Sequence, residues 1–556
     1  MSDRHRPPGP ITVWNRLLRG YGPFLVLALL ALGMAIFVPS KVQQVDTTGT
    51  DGSSALGPGA TDGSGDGGTT TGGTTGGGTG GTTTGGTIGG TGGTGPTAPP
   101  EVHACAGRAL QIPGDPYSPP CSTFTGNNGG KTSQGVTATE IHFSSRITQD
   151  ASVNDALAEI VGTDIIDTPA DVKRTTQALV DYFNSRFNFY GRKIVIDEYQ
   201  GQGSIANELQ GLGRDKAEVD ATKVAEVIKP FGDVNAFSEP YADALSRRHV
   251  VNFGAPVLSR EWFTKRRPYA WSVLPDCSTL TEEATEYVLK RLSGGTADFA
   301  GGDLQGKKRV ITILAPENSW YQECVGAATK IMKQAGHDWD VAPFTYKIDL
   351  GSMSNQASNL IPKLKSKGVT TILCGCDPIF PIFLSGTANR EDYFPEFVSG
   401  YEQDFIGQLW DPEFQRHSFG ISPLGANTSQ KPQSTIGYAA YKSVRPNDEP
   451  ANGVDGIYYQ LYMMAIGIQG AGPDLTPATF ERGMFSYKEA LGPAGLWGFG
   501  PGDYTPMDDY HEFYWDPDKV STYNGKKGAW VDPTPGKRYR HGANQLQPGP
   551  PPIPKK

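Results

Sequence analysis

Side chains that could carry covalent chemistry are few and scattered along this 556-residue chain. There is no Gly-x-Ser-x-Gly elbow, no His-Glu-x-x-His pair and no complete Walker-type phosphate loop. Acyl transfer from an elbow serine, zinc-protease chemistry and P-loop phosphoryl transfer therefore have no anchor residues. The 8 histidines are dispersed. The densest polar group is Asp503, Asp508 and Asp509 with His511; its spacing does not fit an EF-hand loop and reads as a solvated hairpin turn. Cys374-Gly-Cys376 could ligate a metal, but no histidine or further cysteine pair follows at ligand spacing. The expectation is a binding protein with no catalytic residues, cofactor or metal.

Around those residues, the chain divides by composition. The segment Tyr21 to Val38 is apolar, Arg4, Arg6, Arg16 and Arg19 precede it, and from Thr47 to Pro100 there is almost only Gly and Thr. The bias of basic residues puts the N-terminus in the cytoplasm and the rest outside. A retained single-pass anchor is expected over a cleaved signal peptide, since a spacer directly after the apolar run is useful only if the run is kept. The expected layout is a basic cytoplasmic segment (1–20), an anchor (21–38), a disordered linker (39–100), a preface (101–135) and a two-lobed head, with a Pro-rich end (546–556). As a flexible coil, the Gly/Thr tether reaches about 40 Å. A formal charge of -9 argues against nucleic acid as a partner, which would call for a basic stripe.

Six cysteines in an exported chain invite disulfides. Cys105 and Cys121 bracket a Pro-rich loop, and a bridge there would contribute roughly 3 kcal/mol in the chain-entropy view. One further bridge is expected among Cys277, Cys324, Cys374 and Cys376, with Cys374-Gly-Cys376 too close-spaced for a relaxed bridge.

From about Gly135, short β-branched runs alternate with amphipathic helical stretches, the pattern of βαβ units on a parallel sheet. Glu140–Phe143 and Lys193–Asp197 are strands, and Thr168-Pro169 announces a helix as N-cap and first position. The pattern restarts near Leu274, with Val310–Leu314 and Thr370–Cys374 as strands. Val454 to Gly470 is a helix with a core-packing face of Tyr458, Tyr459, Tyr462, Met463 and Met464. Asp508 to Trp515 alternates like an edge strand, and the tail after Trp530 is expected to be disordered. The fold expected is α/β, with two doubly wound lobes facing each other across a cleft.

The ordered series Thr176–Asn184, Gly191–Ile196, Ala315–Tyr321, Ser358–Lys365, Val454–Tyr458 and Phe499–Asp503 resembles the extracellular substrate-binding proteins of branched-chain amino acid type ABC importers, a type 1 periplasmic-binding fold. The preface through Cys121 is similar to that of actinobacterial members. The resemblance implies lobes of 136–275 plus 432–488 and 276–431 plus 489–545, closing on a ligand about a hinge of several crossing strands. By position it implies cleft residues Ser145, Arg146, Asn235, Phe237, Ser238 and Val257 on one side, and Trp320, Tyr321, Asp377, Tyr401 and Glu402 on the other. In these roles Arg146 pairs an acid group and Glu402 a ligand ammonium. With few donors for a carboxylate, the expected solute is amino-acid-like or bulkier, partly aromatic or an amide. Two functions fit: a solute receptor serving an ABC permease, or an envelope sensor or interaction module on the same fold.

Overall fold

The computed structural model describes residues 107–150, 167–424 and 430–554. Cys105 of the expected bridge to Cys121, the expected anchor and the Gly/Thr linker lie outside the described residues. Among the described residues no helix is long and apolar enough to cross a membrane.

The helix Pro169–Arg186 starts as its sequence dictates: Thr168 caps it by accepting from the Asp171 N–H, the Asp171 carboxylate returns to the Thr168 N–H, and Pro169 follows the cap. Strand β1 (Glu140–Ile147) lies beside β2 (Lys193–Gln200), and β3 (Gly232–Asp233), β4 (Val251–Phe253) and β5 (Ala270–Trp271) extend the sheet. All pairs are parallel, in the order β2-β1-β3-β4-β5. The second sheet repeats that order with β6 (Ile311–Pro316), β7 (Phe344–Tyr346), β8 (Thr371–Cys374), β9 (Glu396–Ser399) and β10 (Ser418–Ser422), arranged β7-β6-β8-β9-β10. Strand β6 is buried at every residue, as a central parallel strand covered on both faces must be.

The first lobe's core is completed from far along the chain. The helices Ile436–Val444, Val454–Ala471 and Pro477–Phe485 pack onto it, with Tyr458, Tyr462, Met463 and Met464 buried as their face requires. The last two helices cross at Gly470 and Gly483, where a Cβ on Gly483 would stand 2.4 Å from the Gly470 carbonyl carbon, so only glycine permits the approach. A hairpin of β11 (Ala490–Gly492) and β12 (Gly495–Trp497) follows, and Trp497 stacks on Tyr117 of the preface at 4.7 Å. The chain then joins the second sheet as β13 (Asp509–Val520), antiparallel to β10. β14 (Lys527–Val531) and β15 (Tyr539–Arg540) pair with it. β13 is therefore an interior strand and not the expected edge, because β14 covers its outer side.

Two other expectations are corrected here. The tail after Trp530 is packed: Tyr539 and Leu546 are fully buried in the second lobe, and Lys290 Nζ donates to the Leu546 carbonyl at 2.7 Å. A few apolar residues spaced among Pro and Gly suffice to pin it. The acidic group near the C-terminus is not a solvated turn either: Asp509 is buried and receives two hydrogen bonds from Arg538, at 2.6 and 2.8 Å.

Candidate functional site

In open α/β sheets, ligands bind beyond the carboxyl ends of the strands. At that edge of the first sheet, β1 ends in Ser145 and Arg146, while the loop after β3 carries Asn235, Phe237 and Ser238. The Asn235 amide donates to Ser145 Oγ at 2.8 Å and to the Arg146 carbonyl at 3.3 Å, which joins the two loops. The Arg146 side chain points inward. Its guanidinium donates twice to Glu208 at 2.8 Å, reaches Asp220 at 3.3 Å and covers the Tyr241 ring at 3.7 Å. Burial works against its charge, but the Glu208 carboxylate outweighs that and holds its pKa above the usual value. Ser238 is fully buried and also donates to Glu208. Arg146 and Ser238 are thus parts of an internal network and not free donors for a ligand acid. Phe237 is partly exposed and Val257, with φ of 55°, holds a conformation rare for a β-branched residue.

On the second lobe, Asp377 caps the helix Phe380–Arg390 by accepting from Ile379 N and Phe380 N at 2.8 and 3.1 Å, and the Tyr346 hydroxyl donates to it at 2.6 Å. Burial raises its pKa above the ordinary carboxylate range. Tyr401 donates to the Cys376 carbonyl at 2.9 Å, and burial pushes the hydroxyls of Tyr321 and Tyr401 up. Trp320 leaves its own lobe and packs into the first lobe's core. Glu402 turns away from the strand ends and pairs with His511 of β13 at 2.7 Å, both side chains buried. The acid expected to meet a ligand ammonium is committed there.

All four cysteines of the second lobe are bridged. Cys277–Cys324 ties the helix Cys277–Tyr287 to the helix Ser319–Gln334, with Cα atoms 5.9 Å apart. Cys374–Cys376 closes on itself at the end of β8, so two bridges form among these four cysteines where one was expected. The chain bends at Gly375, so their Cα atoms stand 5.1 Å apart, within the range a disulfide spans.

Both bridges line a cavity of about 330 Å³. One wall is the sheet, through Ile313, Leu373, Val398 and Ile421; the other is the two bridged helices, through Leu280, Tyr287, Val325 and Ala328. Val257, Tyr321 and Tyr401 of the expected set line it, with Gln403 beside Tyr401. Ser145, Asn235, Ser238 and Asp377 are not among its lining residues. Among the described residues no Lys, Arg or His lines it, and Glu283 is its one carboxylate. Glu283 is 1 % exposed, and neither carboxyl oxygen has a hydrogen-bond partner among the described residues. Burial raises its pKa well above the ordinary value, and neighbouring Asp509 adds to the shift. The sequence reading passed over Glu283, although its place between Leu280, Ala284 and Tyr287 on one helical face puts an acid among core positions.

The lobes touch beside this cavity. Ser259 Oγ donates to Glu323 Oε1 at 2.6 Å, the Asn318 amide to the Leu209 carbonyl at 2.9 Å, and Arg260 to Glu282 at 3.2 Å. The arrangement can enclose a small, largely apolar molecule between the second sheet and its bridged helices, beside hydrogen bonds that join the lobes.

Comparison with known proteins follows the same line. Residues 168–519 match the family model described as periplasmic binding protein. No curated protein matches the chain. A leucine-, isoleucine-, valine-, threonine- and alanine-binding protein from Brucella ovis, in its closed conformation, superposes with a TM-score of 0.52 at 13% identity, covering 74% of this chain and 97% of that one. A solute-binding protein of an ABC transporter from R. palustris, in complex with 4-hydroxybenzoate, gives 0.51 at 10% identity over 73% and 98%. A substrate-binding protein of an ABC transporter from Aeropyrum pernix gives 0.51 at 13% over 73% and 97%. At such identities the likeness is one of fold.

Proposed function

The chain belongs to the periplasmic binding protein family, and we propose that it is an extracytoplasmic solute receptor that shuts two lobes on a small molecule and delivers it to an ABC permease. The observation that carries this reading is the cavity of about 330 Å³ at the carboxyl ends of the second sheet, next to hydrogen bonds that span the lobes. Its size and apolar walls are those of a small-molecule site. Ligand contacts fall to Val257, Tyr321, Tyr401 and Gln403. The solute is bulky and mostly apolar or aromatic and not a small zwitterion, because Arg146 and Ser238 serve Glu208 while Glu402 serves His511.

The sequence supports a membrane tether for this receptor: Tyr21 to Val38 serves as a retained anchor, with the Gly/Thr run as its leash. Fractionation of cells tests it; the chain released freely into the medium with its N-terminus removed would overturn retention.

Thermal melting of the purified chain against aromatic acids, aromatic amines, amides, amino acids and polyols tests the receptor reading. A solute at a hundredfold its dissociation constant stabilises the closed form by about 2.7 kcal/mol. Bulky aromatic members are expected to shift the melting temperature. Silence across the whole panel would overturn the reading in favour of an envelope sensor or interaction module.

A further inference from the structure

Resting on the receptor reading above, we infer that the second-lobe cavity takes a mostly apolar solute with a single amine, bound as an ammonium to the Glu283 carboxylate. Solutes whose only polar group is a carboxylate are turned away.

Among the described residues, the fully buried side-chain atoms of the lining that lack a partner are all carboxylate or amide oxygens. Glu283 Oε1 and Oε2 are buried and unpaired, and so is Gln403 Oε1. A buried polar atom left unpaired is costly, so a donor-rich group is the complement this cavity calls for. An ammonium brings three donors and no acceptor. The lining has no cation that could receive a carboxylate.

The wider surroundings have the same sign. Asp276 at the start of the helix, with Asp508 and Asp509 at the start of β13, bear on Glu283, against Arg538 alone. Arg538 is already bound to Asp509 at 2.6 Å. Of the neighbours that bear most on Glu283, three are carboxyl groups and one is a guanidinium, a set that favours an incoming cation over an anion. A lone cation would pay heavily to leave water for these apolar walls, and only the ion pair with Glu283 makes the transfer workable. The apolar remainder of the solute then lies along Leu280, Val325, Leu373 and Val398.

The proton balance follows. In the unliganded protein burial keeps Glu283 protonated to higher pH than an ordinary glutamate. When the ammonium enters, the acid gives its proton to solvent and the pair that remains is carboxylate with ammonium. One proton is released for each solute bound below the raised pKa.

The test is calorimetry on the full chain with three probes of matched shape: phenethylamine, phenethyl alcohol and hydrocinnamate. Phenethylamine should bind about tenfold or more tightly than the alcohol, and hydrocinnamate weakest of the three. The heat of amine binding at pH 5 should vary with the ionisation enthalpy of the buffer in the sense of proton release, a readout that needs no variant. Glu283→Gln should lose the preference for amine over alcohol while still binding the alcohol, which also shows that it folds. Equal binding of the three probes, a preference for hydrocinnamate, or amine binding without proton release overturns the amine assignment and leaves the receptor reading standing. Failure of all three to bind also overturns it, and the receptor reading then stands or falls on its own panel.

Discussion

Ser259 and Glu323 join the two lobes. The serine hydroxyl donates to Glu323 Oε1 at 2.6 Å, while the same oxygen caps the helix Arg260–Lys265 by accepting from Trp262 N at 3.0 Å. One side chain thus starts a helix in one lobe and reaches a carboxylate on the other.

Glu323→Ala removes the second of these roles and leaves the cap. Because affinity is linked to closure, the lost bond should weaken solute binding by up to about fivefold, or about 1 kcal/mol, with little change in melting temperature. Ser259→Ala should add the cost of an uncapped helix, about 0.5–2 kcal/mol of stability. Titration by tryptophan fluorescence reads the first and urea unfolding the second; equal affinity in Glu323→Ala would show that the bridge plays no part in closure.

Arg146→Met leaves Glu208 and Asp220 buried without their cation. Breaking such a network from one side costs about 3–5 kcal/mol. Urea unfolding should show a loss of that order, and the double variant Arg146→Met with Glu208→Gln should recover part of it. A variant of normal stability that has lost solute binding would instead put Arg146 in the cleft.

Stability should fall as pH rises from about 4 to about 8. Burial raises Asp503 from its ordinary 3.8 to about 8 and Asp508 to about 6, with neighbouring carboxylates adding to both shifts. An acid whose folded pKa lies above its unfolded value favours the fold through its neutral form. That contribution is complete below pH 3.8 and is lost as pH rises through the folded value. Asp503→Asn should flatten the slope between pH 6 and 8, as followed by urea midpoints; an unchanged slope would remove Asp503 from the account.

The two second-lobe disulfides should differ in what they do for stability. Cys277–Cys324 spans a separation of 47 residues and should contribute about 4 kcal/mol through the unfolded chain. Cys374–Cys376, with a separation of 2, closes almost no loop. Replacing the first pair by alanine should lower the melting temperature strongly. Replacing the second should leave it nearly unchanged while altering solute affinity, since both residues line the cavity.

Ala328→Leu places added methyl groups in the cavity wall. The variant should bind no solute from the panel and melt no lower than the parent, because filling apolar space recovers contacts. Undiminished binding would move the site elsewhere.

What the sequence made legible is what depends on near neighbours. Thr168, Pro169 and Asp171 specify a helix start within four positions, and the run Val310 to Leu314 can only be a strand covered on both faces. The site was harder to read for the opposite reason. Arg146 and Glu208 stand 62 positions apart, and Glu402 finds His511 much further on. Family position places Arg146 and Glu402 near the strand ends but does not give the direction of their side chains, which partners distant in sequence decide. Val257, Tyr321 and Tyr401 do face the cavity, being set by strand ends that the pattern located. Glu283 was hidden because an acid on a helix looks solvated until the opposite wall is known.

The passages between the lobes have a mechanical consequence. The chain goes from the first sheet to the second after β5, returns after β10 to the helix Ile436–Val444, and leaves again after Tyr504 for β13. Chain crossings at three points would act as pins that favour a swing of one body against the other over sliding or twisting. On the receptor reading, a swing about these crossings would couple the gap at the jaws to the angle of the outer faces, a signal that a docked partner could sense.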